Sequence, residues 1–257
     1  MEPQLRHAVA DGVATVVIDH PAKRNAMTAD MWRALPPLLD ALAADPAVRA
    51  LVLTGAGDTF CAGADISSLR AEPGRPQELA VLAEEALAAF AKPTLAAVRG
   101  YCVGGGCQLA AACDLRFADE GASFAVTPAK LGIVYPASST RRLATLVGPA
   151  TAKYLLFSGE SIGAARALRT GLVDEVLPVG ELDARVKEFT RVLASRSLLT
   201  QAAAKEFAAG RADRDAHWAD QARGSGDTAE GVAAFLERRR PRFTWTVPDG
   251  AATPGRP

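Results

Sequence analysis

The chain has 257 residues, 49% hydrophobic and 23% charged, enough for one large core or a core with an appendage. Lysine plus arginine and aspartate plus glutamate both number 29, so the formal net charge is zero and nothing global points to a nucleic-acid partner. No run of about 18 apolar residues argues for a membrane span, and three histidines with no CxxC pair leave little material for a metal site.

In chain order, "LRHAVADGVATVVIDHP" predicts a β-hairpin turning at Asp11-Gly12. "TADMWRALPPLLDALAADP" predicts a helix capped at Thr28, with Met31, Leu35, Leu38, Leu39 and Leu42 as its apolar stripe and Pro36 and Pro37 as a distortion. "VRALVLTG" is a buried strand. "AEPGRPQE" is a surface loop, followed by a helix over Gln77 to Ala91. "KPTLAAVRG" and "DLRFAD" are strands. From Ser138 the pattern is mostly helical, with a short strand near "VDEVLP". Strands alternating with helices argue for an α/β fold. Residues 198–246 are expected to form a helical unit appended to a core over 1–197, and 247–257 a disordered Pro/Gly/Ala-rich tail. The N-terminus has no basic segment leading into an apolar one, so no signal peptide is expected. Cys61, Cys102, Cys107 and Cys113 then read as buried thiols of a cytoplasmic protein.

Two glycine-rich turns carry the chemistry. A strand ending in glycine before a helix leaves backbone N–H groups free at the helix start, where the helix dipole adds positive character. "VRGYCVGGGCQLA" has this form, and so does "LVLTGAGDTFCAGADISSL". No Gly-Lys-Ser/Thr follows, which excludes a Walker phosphate loop, and the glycine spacing does not fit a dinucleotide fingerprint. Either turn alone is equally a matter of tight packing. Two together suggest a paired oxyanion hole.

"PAKRNAMT", "LTGAGDTFCAGADI", "KPTLAAVRGYCVGGGCQLAAACDLRFAD", "LGIVYPASSTRRL" and "EGVAAFLERRRPRF" occur in this order and span about residues 5 to 243. In these motifs the chain resembles the crotonase superfamily, the enoyl-CoA hydratase/isomerase family. The resemblance implies a crotonase-like spiral of repeated ββα units, a C-terminal helical trimerisation region, and a homotrimer or a dimer of trimers. It implies an acyl-CoA thioester as substrate, with coenzyme A entering as part of that substrate and no separate bound cofactor or metal. It places the two oxyanion donors on the N–H of Ala64 and Gly105. It puts CoA contacts at Lys23, Arg24, Ala26, Ala62, Asp65 and Ile66, with Phe235 and Arg238 reaching a neighbouring subunit's CoA. Arg238 and the arginines after it equally fit a solvated helix end.

The chain departs from the hydratases where they keep two glutamates for acid–base work: those positions are Gln108 and Pro128, and a third carboxylate position of some relatives is Pro136. Thr127, Tyr135, Ser138 and Ser139 remain as polar groups nearby. "TPAKLGIVY" resembles the methylmalonyl-CoA decarboxylase branch, although that branch carries a histidine at Ala64 and a glutamate at Gln108. Three readings follow. One is a decarboxylase or other lyase, with Tyr135 and Gln108 at its centre. The second is a hydratase or isomerase using groups other than glutamate. The third is a non-catalytic acyl-CoA-binding subunit. Tyr135 is equally read as a core tyrosine with its hydroxyl at the rim.

Overall fold

The computed structural model describes residues 2–67 and 75–248. Strands β1 (Gln4–Ala10) and β2 (Val13–Asp19) form the expected hairpin, with Ala10 opposite Val13. Asp11 and Gly12 both have positive φ, as a two-residue turn that matches strand twist requires. Strands β3 (Ala50–Gly55), β4 (Thr94–Val98), β6 (Leu115–Asp119) and β9 (Glu175–Leu177) continue from β2 in parallel. The result is a six-stranded sheet in the order β1-β2-β3-β4-β6-β9. All of β4 is buried, as a strand covered on both faces should be.

A second, three-stranded sheet holds β5 (Tyr101–Val103), β7 (Ser123–Ala125) and β8 (Ile162–Gly163). Its origin is the ββα repeat. β4 enters the large sheet, β5 the small one, and helix α3 (Gly105–Ala112) follows. β6 and β7 repeat the move, followed by a 3-10 turn (Pro128–Leu131) and helix α4 (Ala137–Ser158). Each connection between the sheets is short, so the end of every ββ pair delivers a helix start to one side of the molecule. The site is built there.

Helix α1 (Ala29–Ala44) starts at Thr28, whose hydroxyl accepts the Met31 N–H at 3.3 Å. Pro36 and Pro37 lie inside one unbroken helix, against the expected distortion. Met31, Trp32, Leu35, Leu39 and Leu42 are buried in the main core, and that packing holds the helix across two missing amide donors. The stripe also differs in detail: Leu38 is only partly buried, and Trp32, outside the expected stripe, is 1% exposed. Helix α2 runs over Arg75–Ala88, starting and ending earlier than expected. The expected loop "AEPGRPQE" therefore divides: its first residues lie outside the described ones, and Arg75–Glu78 are helix. Lys92, between α2 and β4, is buried and donates to the Asp45 carbonyl at 2.6 Å and the Leu42 carbonyl at 3.4 Å, closing the end of α1. Burial pushes its amine down to about 8, partly offset by Asp45. Asp114 accepts from Thr94 and Lys205 and is structural.

Helix α4 bends at Gly148, where φ is +75° just before Pro149. Helices α5 (Ala164–Arg169) and α6 (Leu182–Ala194) complete the core. The C-terminal part holds α7 (Leu198–Ala208), α8 (Asp215–Ser225) and α9 (Asp227–Leu236). Helix stops at Leu236 rather than Phe243, and residues 240–248 follow without regular structure. That segment is not loose: Trp245 is buried against Leu198, Leu199 and Ala202, and Val247 packs there too. The expectation of a disordered tail from 247 does not hold at Val247, which is packed, and residues 249–257 lie outside the described ones. All four cysteines are free and buried. Burial raises the Cys61 and Cys113 thiols to about 12, which removes them as nucleophiles at neutral pH. Among the described residues no helix is long and apolar enough to cross a membrane, and no cluster of metal-binding side chains occurs.

Candidate active site

The two glycine-rich turns meet backbone to backbone. A side chain on Gly63 would lie 2.9 Å from the Val103 carbonyl and 3.4 Å from the Gly105 nitrogen. A side chain on Gly105 would lie 3.5 Å from the Ala64 nitrogen and 3.0 Å from the Trp32 ring. Gly106 is tighter still, with the Cys61 carbonyl 2.3 Å from where its Cβ would be. The triple glycine is thus a requirement of close approach, and the φ of +54° at Gly104 adds a second reason at that position.

The direction of both donors follows from local pairing. Ala64 forms a parallel bridge with Met27, in which Met27 N–H donates to Gly63 and Asp65 N–H donates to Met27. Backbone groups alternate sides along an extended segment, so the N–H of Ala64 itself points away from that bridge. Gly105 opens α3, and its N–H is among the helix-start donors that have no partner within the helix. Both residues line one pocket, together with Trp32, Ala62, Ile66, Gln77, Ala80, Gln108, Thr127, Pro128, Leu131, Ile133, Tyr135 and Pro136. Two N–H groups converging on one apolar cleft can hold a carbonyl oxygen as it gains negative charge.

The family model for enoyl-CoA hydratase/isomerase matches residues 8–246. The chain belongs to the enoyl-CoA hydratase/isomerase family. Crotonyl-CoA hydratase of Syntrophomonas wolfei is 37% identical over 244 residues, covering 90% of this chain and 94% of its own. The 2,3-dehydroadipyl-CoA hydratase of Escherichia coli is 34% identical, with 90% and 94% covered. A crystal structure of an enoyl-CoA hydratase/isomerase family member superposes with a TM-score of 0.89 at 41% identity, over 96% of this chain and all (100%) of that one. As a member of this family the protein is an enzyme acting on an acyl-CoA.

Within this family member, the residues expected from sequence fall into three groups. Ala64, Gly105, Gln108, Tyr135, Pro128, Ala62 and Ile66 share the pocket. Lys23, Arg24, Ala26 and Asp65 adjoin it. Lys23 Nζ donates to Asp65 at 2.7 Å and to Ser67 at 3.2 Å, and the Arg24 carbonyl accepts the Ala62 N–H at 3.0 Å. Burial alone would raise the Asp65 carboxyl, but hydrogen bonds from Lys23 and Ser67 outweigh it and hold the group below its ordinary range. The Arg24 guanidinium lies 4.8 Å from the Tyr101 ring centre. Ala26 is buried, with its carbonyl 2.8 Å from His20 Nδ1. Phe235 and Arg238 form the third group. They sit at the end of α9, outside the pocket wall, and Phe235 is 83% exposed.

Two side chains behave differently from expectation. Ser139 is buried and does not line the pocket; its hydroxyl donates to Glu84. Glu84 itself escaped sequence reading. It is fully buried on α2 and accepts from Gln108 Nε2 at 2.6 Å, from Ser139 and from Arg142. In sequence it is one of two adjacent glutamates that look solvated, and nothing local marks it. Tyr135 is the one titratable side chain in the pocket wall among the described residues. Burial, with smaller contributions from Cys107 and Glu84, raises its hydroxyl well above the ordinary range.

Proposed function

We propose that the protein is an acyl-CoA lyase that forms a thioester enolate by decarboxylation. The observation that supports this most is chemical. Around two convergent N–H groups, the wall holds no side chain among the described residues able to exchange a proton at neutral pH. Hydration needs such groups, and each typically contributes about 10²–10⁴-fold. Decarboxylation does not. The bond between C2 and the carboxylate carbon of a malonyl-type thioester breaks, CO₂ leaves, and the electron pair passes into the enolate. The oxyanion is held by Ala64 and Gly105, and water supplies the proton to C2. Trp32, Ile66, Leu131 and Ile133 make the wall a poor solvent for a carboxylate and a good one for CO₂. Tyr135 keeps its proton across neutral pH and can donate a hydrogen bond that orients the carboxylate.

Hydration or isomerisation of a 2-enoyl thioester is the second reading, favoured by the names of the similar hydratases. The deciding experiment compares the unmodified protein on crotonyl-CoA and on malonyl-type thioesters, with products read by mass spectrometry. CO₂ release with crotonyl-CoA hydration near background is expected. Efficient hydration without CO₂ overturns the lyase reading, and no turnover on either favours a binding subunit.

For CoA, Lys23 and Arg24 supply cations at the pocket rim, with Asp65 fixing Lys23. For assembly, Val232, Phe235 and Leu236 leave an apolar face exposed on α9, which fits a trimer or dimer of trimers in which Phe235 and Arg238 meet a neighbour. Four unpaired thiols fit a reducing, cytoplasmic setting.

A further inference from the structure

Behind the pocket wall, three donors converge on Glu84: Gln108 Nε2, the Ser139 hydroxyl and the Arg142 guanidinium. An ionised carboxylate only accepts hydrogen bonds. Gln108 must therefore turn its NH₂ inward, whatever its amide would choose alone. Gln108 lines the pocket, and its Oε1 takes no hydrogen bond from any described residue, so this oxygen is the atom left for the pocket. Trp32 Nε1, in the same wall, is buried without a partner.

We propose that Glu84 is a positioning residue that sets the hydrogen-bonding sense of the pocket at Gln108, presenting an acceptor there and no donor, and so selects where polar parts of the acyl group can lie. A water or hydroxyl is held beside Gln108. A substrate carboxylate is kept from Gln108 and directed to donors elsewhere in the wall, such as the Tyr135 hydroxyl and the Trp32 N–H. The inference rests on this pocket being the acyl site. It is tested by binding, so it fails separately from the reaction assigned above.

Glu84→Gln makes the test sharp. Arg142 donates to the Oε1 position, so that atom becomes the oxygen of the new amide and its NH₂ takes the Oε2 position, facing Ser139 and Gln108. The Ser139 hydroxyl can turn to accept one N–H, and the other needs Gln108 Oε1. Gln108 flips, and its own NH₂ faces the pocket. The probes are two unreactive thioethers, S-(2-carboxyethyl)-CoA and S-butyl-CoA, titrated calorimetrically into the full chain. Glu84→Gln should shift the affinity ratio towards the carboxylate by about tenfold, the scale of one hydrogen bond to a charged group. In a Gln108→Leu background the same change should leave the ratio unmoved. A structural role alone would weaken both ligands alike. An unchanged ratio in folded Glu84→Gln, or a shift that persists without Gln108, overturns the proposal. Should Glu84→Gln not fold, Gln108→Glu decides. Two carboxylates at this separation share a proton, and one holds it to higher pH than in the unfolded chain. The melting temperature of Gln108→Glu should then fall, relative to wild type, as pH rises from about 5 to 8. A pH-independent difference overturns it.

Discussion

Position 108 determines what a gain of hydration must contain. Placing acids where the proposed reading finds none, with Gln108→Glu and Pro128→Glu, sets a second carboxylate against Glu84. The new acid would share a proton with its neighbour instead of handling water. We therefore expect the double variant to hydrate crotonyl-CoA weakly, and the triple variant that adds Glu84→Gln to exceed it by about tenfold or more. Pro128 is the more forgiving site, because it opens a 3-10 turn where its missing N–H has no partner to lose. The crotonyl-CoA hydration rate of the two variants checks this. Much of the site was legible at this scale. Ala64, Gly105 and Gln108 occupy fixed places in short motifs, and the structure brings all three to one pocket wall. Glu84 was not legible. It differs from Glu85 only in the direction its helix faces: the Glu84 side chain is 0% exposed and the Glu85 side chain 49%.

Among the elements, the start of α3 and the end of α1 carry the sharpest expectations. Proline is tolerated at the first position of a helix, so Gly105→Pro removes one oxyanion donor while leaving α3 intact, provided the Trp32 ring yields. Turnover should fall by about two orders of magnitude or more, corresponding to about 2.7–4 kcal/mol, with a smaller loss of CoA affinity. Rate and binding assays on calorimetrically folded protein test it. At α1, burying the Lys92 ammonium is costly below about pH 8, where the folded amine is still charged. The unfolded amine binds its proton to higher pH, so the stability Lys92 contributes should increase between about pH 8 and 10.5, by at most about 1.4 kcal/mol per pH unit. Denaturant unfolding of wild type against Lys92→Met, across that range, isolates the effect from thiols that titrate oppositely. Sequence placed these elements well in type and less well in extent. The prolines of α1 overstated a distortion because propensity is local, whereas the packing of Trp32 and Leu39 that opposes it is not.

At the level of the whole molecule, the alternation of strand and helix was readable and the resemblance implied the ββα repeat, but the short second strands β5 and β7, and their place in a separate sheet, were not a matter of pattern. Their place depends on connections as short as Arg99-Gly100, where Gly100 has φ +50° and a side chain would meet the Asp58 carbonyl at 2.4 Å. The C-terminal helices were legible as helices, and their docking by Trp245 was hidden in an extended segment. We expect a trimer or hexamer in sedimentation, and aggregation on truncation before Leu198, since that removes α7 together with the ties of Lys205 to Asp114 and to the Lys92 carbonyl on the core. A well-behaved monomer from either experiment would count against assembly through this region.

The contact between Gly63 and Gly105 has an evolutionary consequence. Both proposed donors are main-chain groups, fixed by two turns that leave no room for a side chain between them. No single side-chain exchange recolours such a device; it is kept whole or broken. Change is instead channelled to the surrounding wall, to positions such as Gln108, Pro128 and Tyr135, where a new side chain alters which proton moves while the same oxygen is still held. A scaffold of this kind can change its reaction at the wall without rebuilding the contact between the two turns, and the hydrogen bond from Gln108 to Glu84 shows that a wall position can carry its support with it from behind.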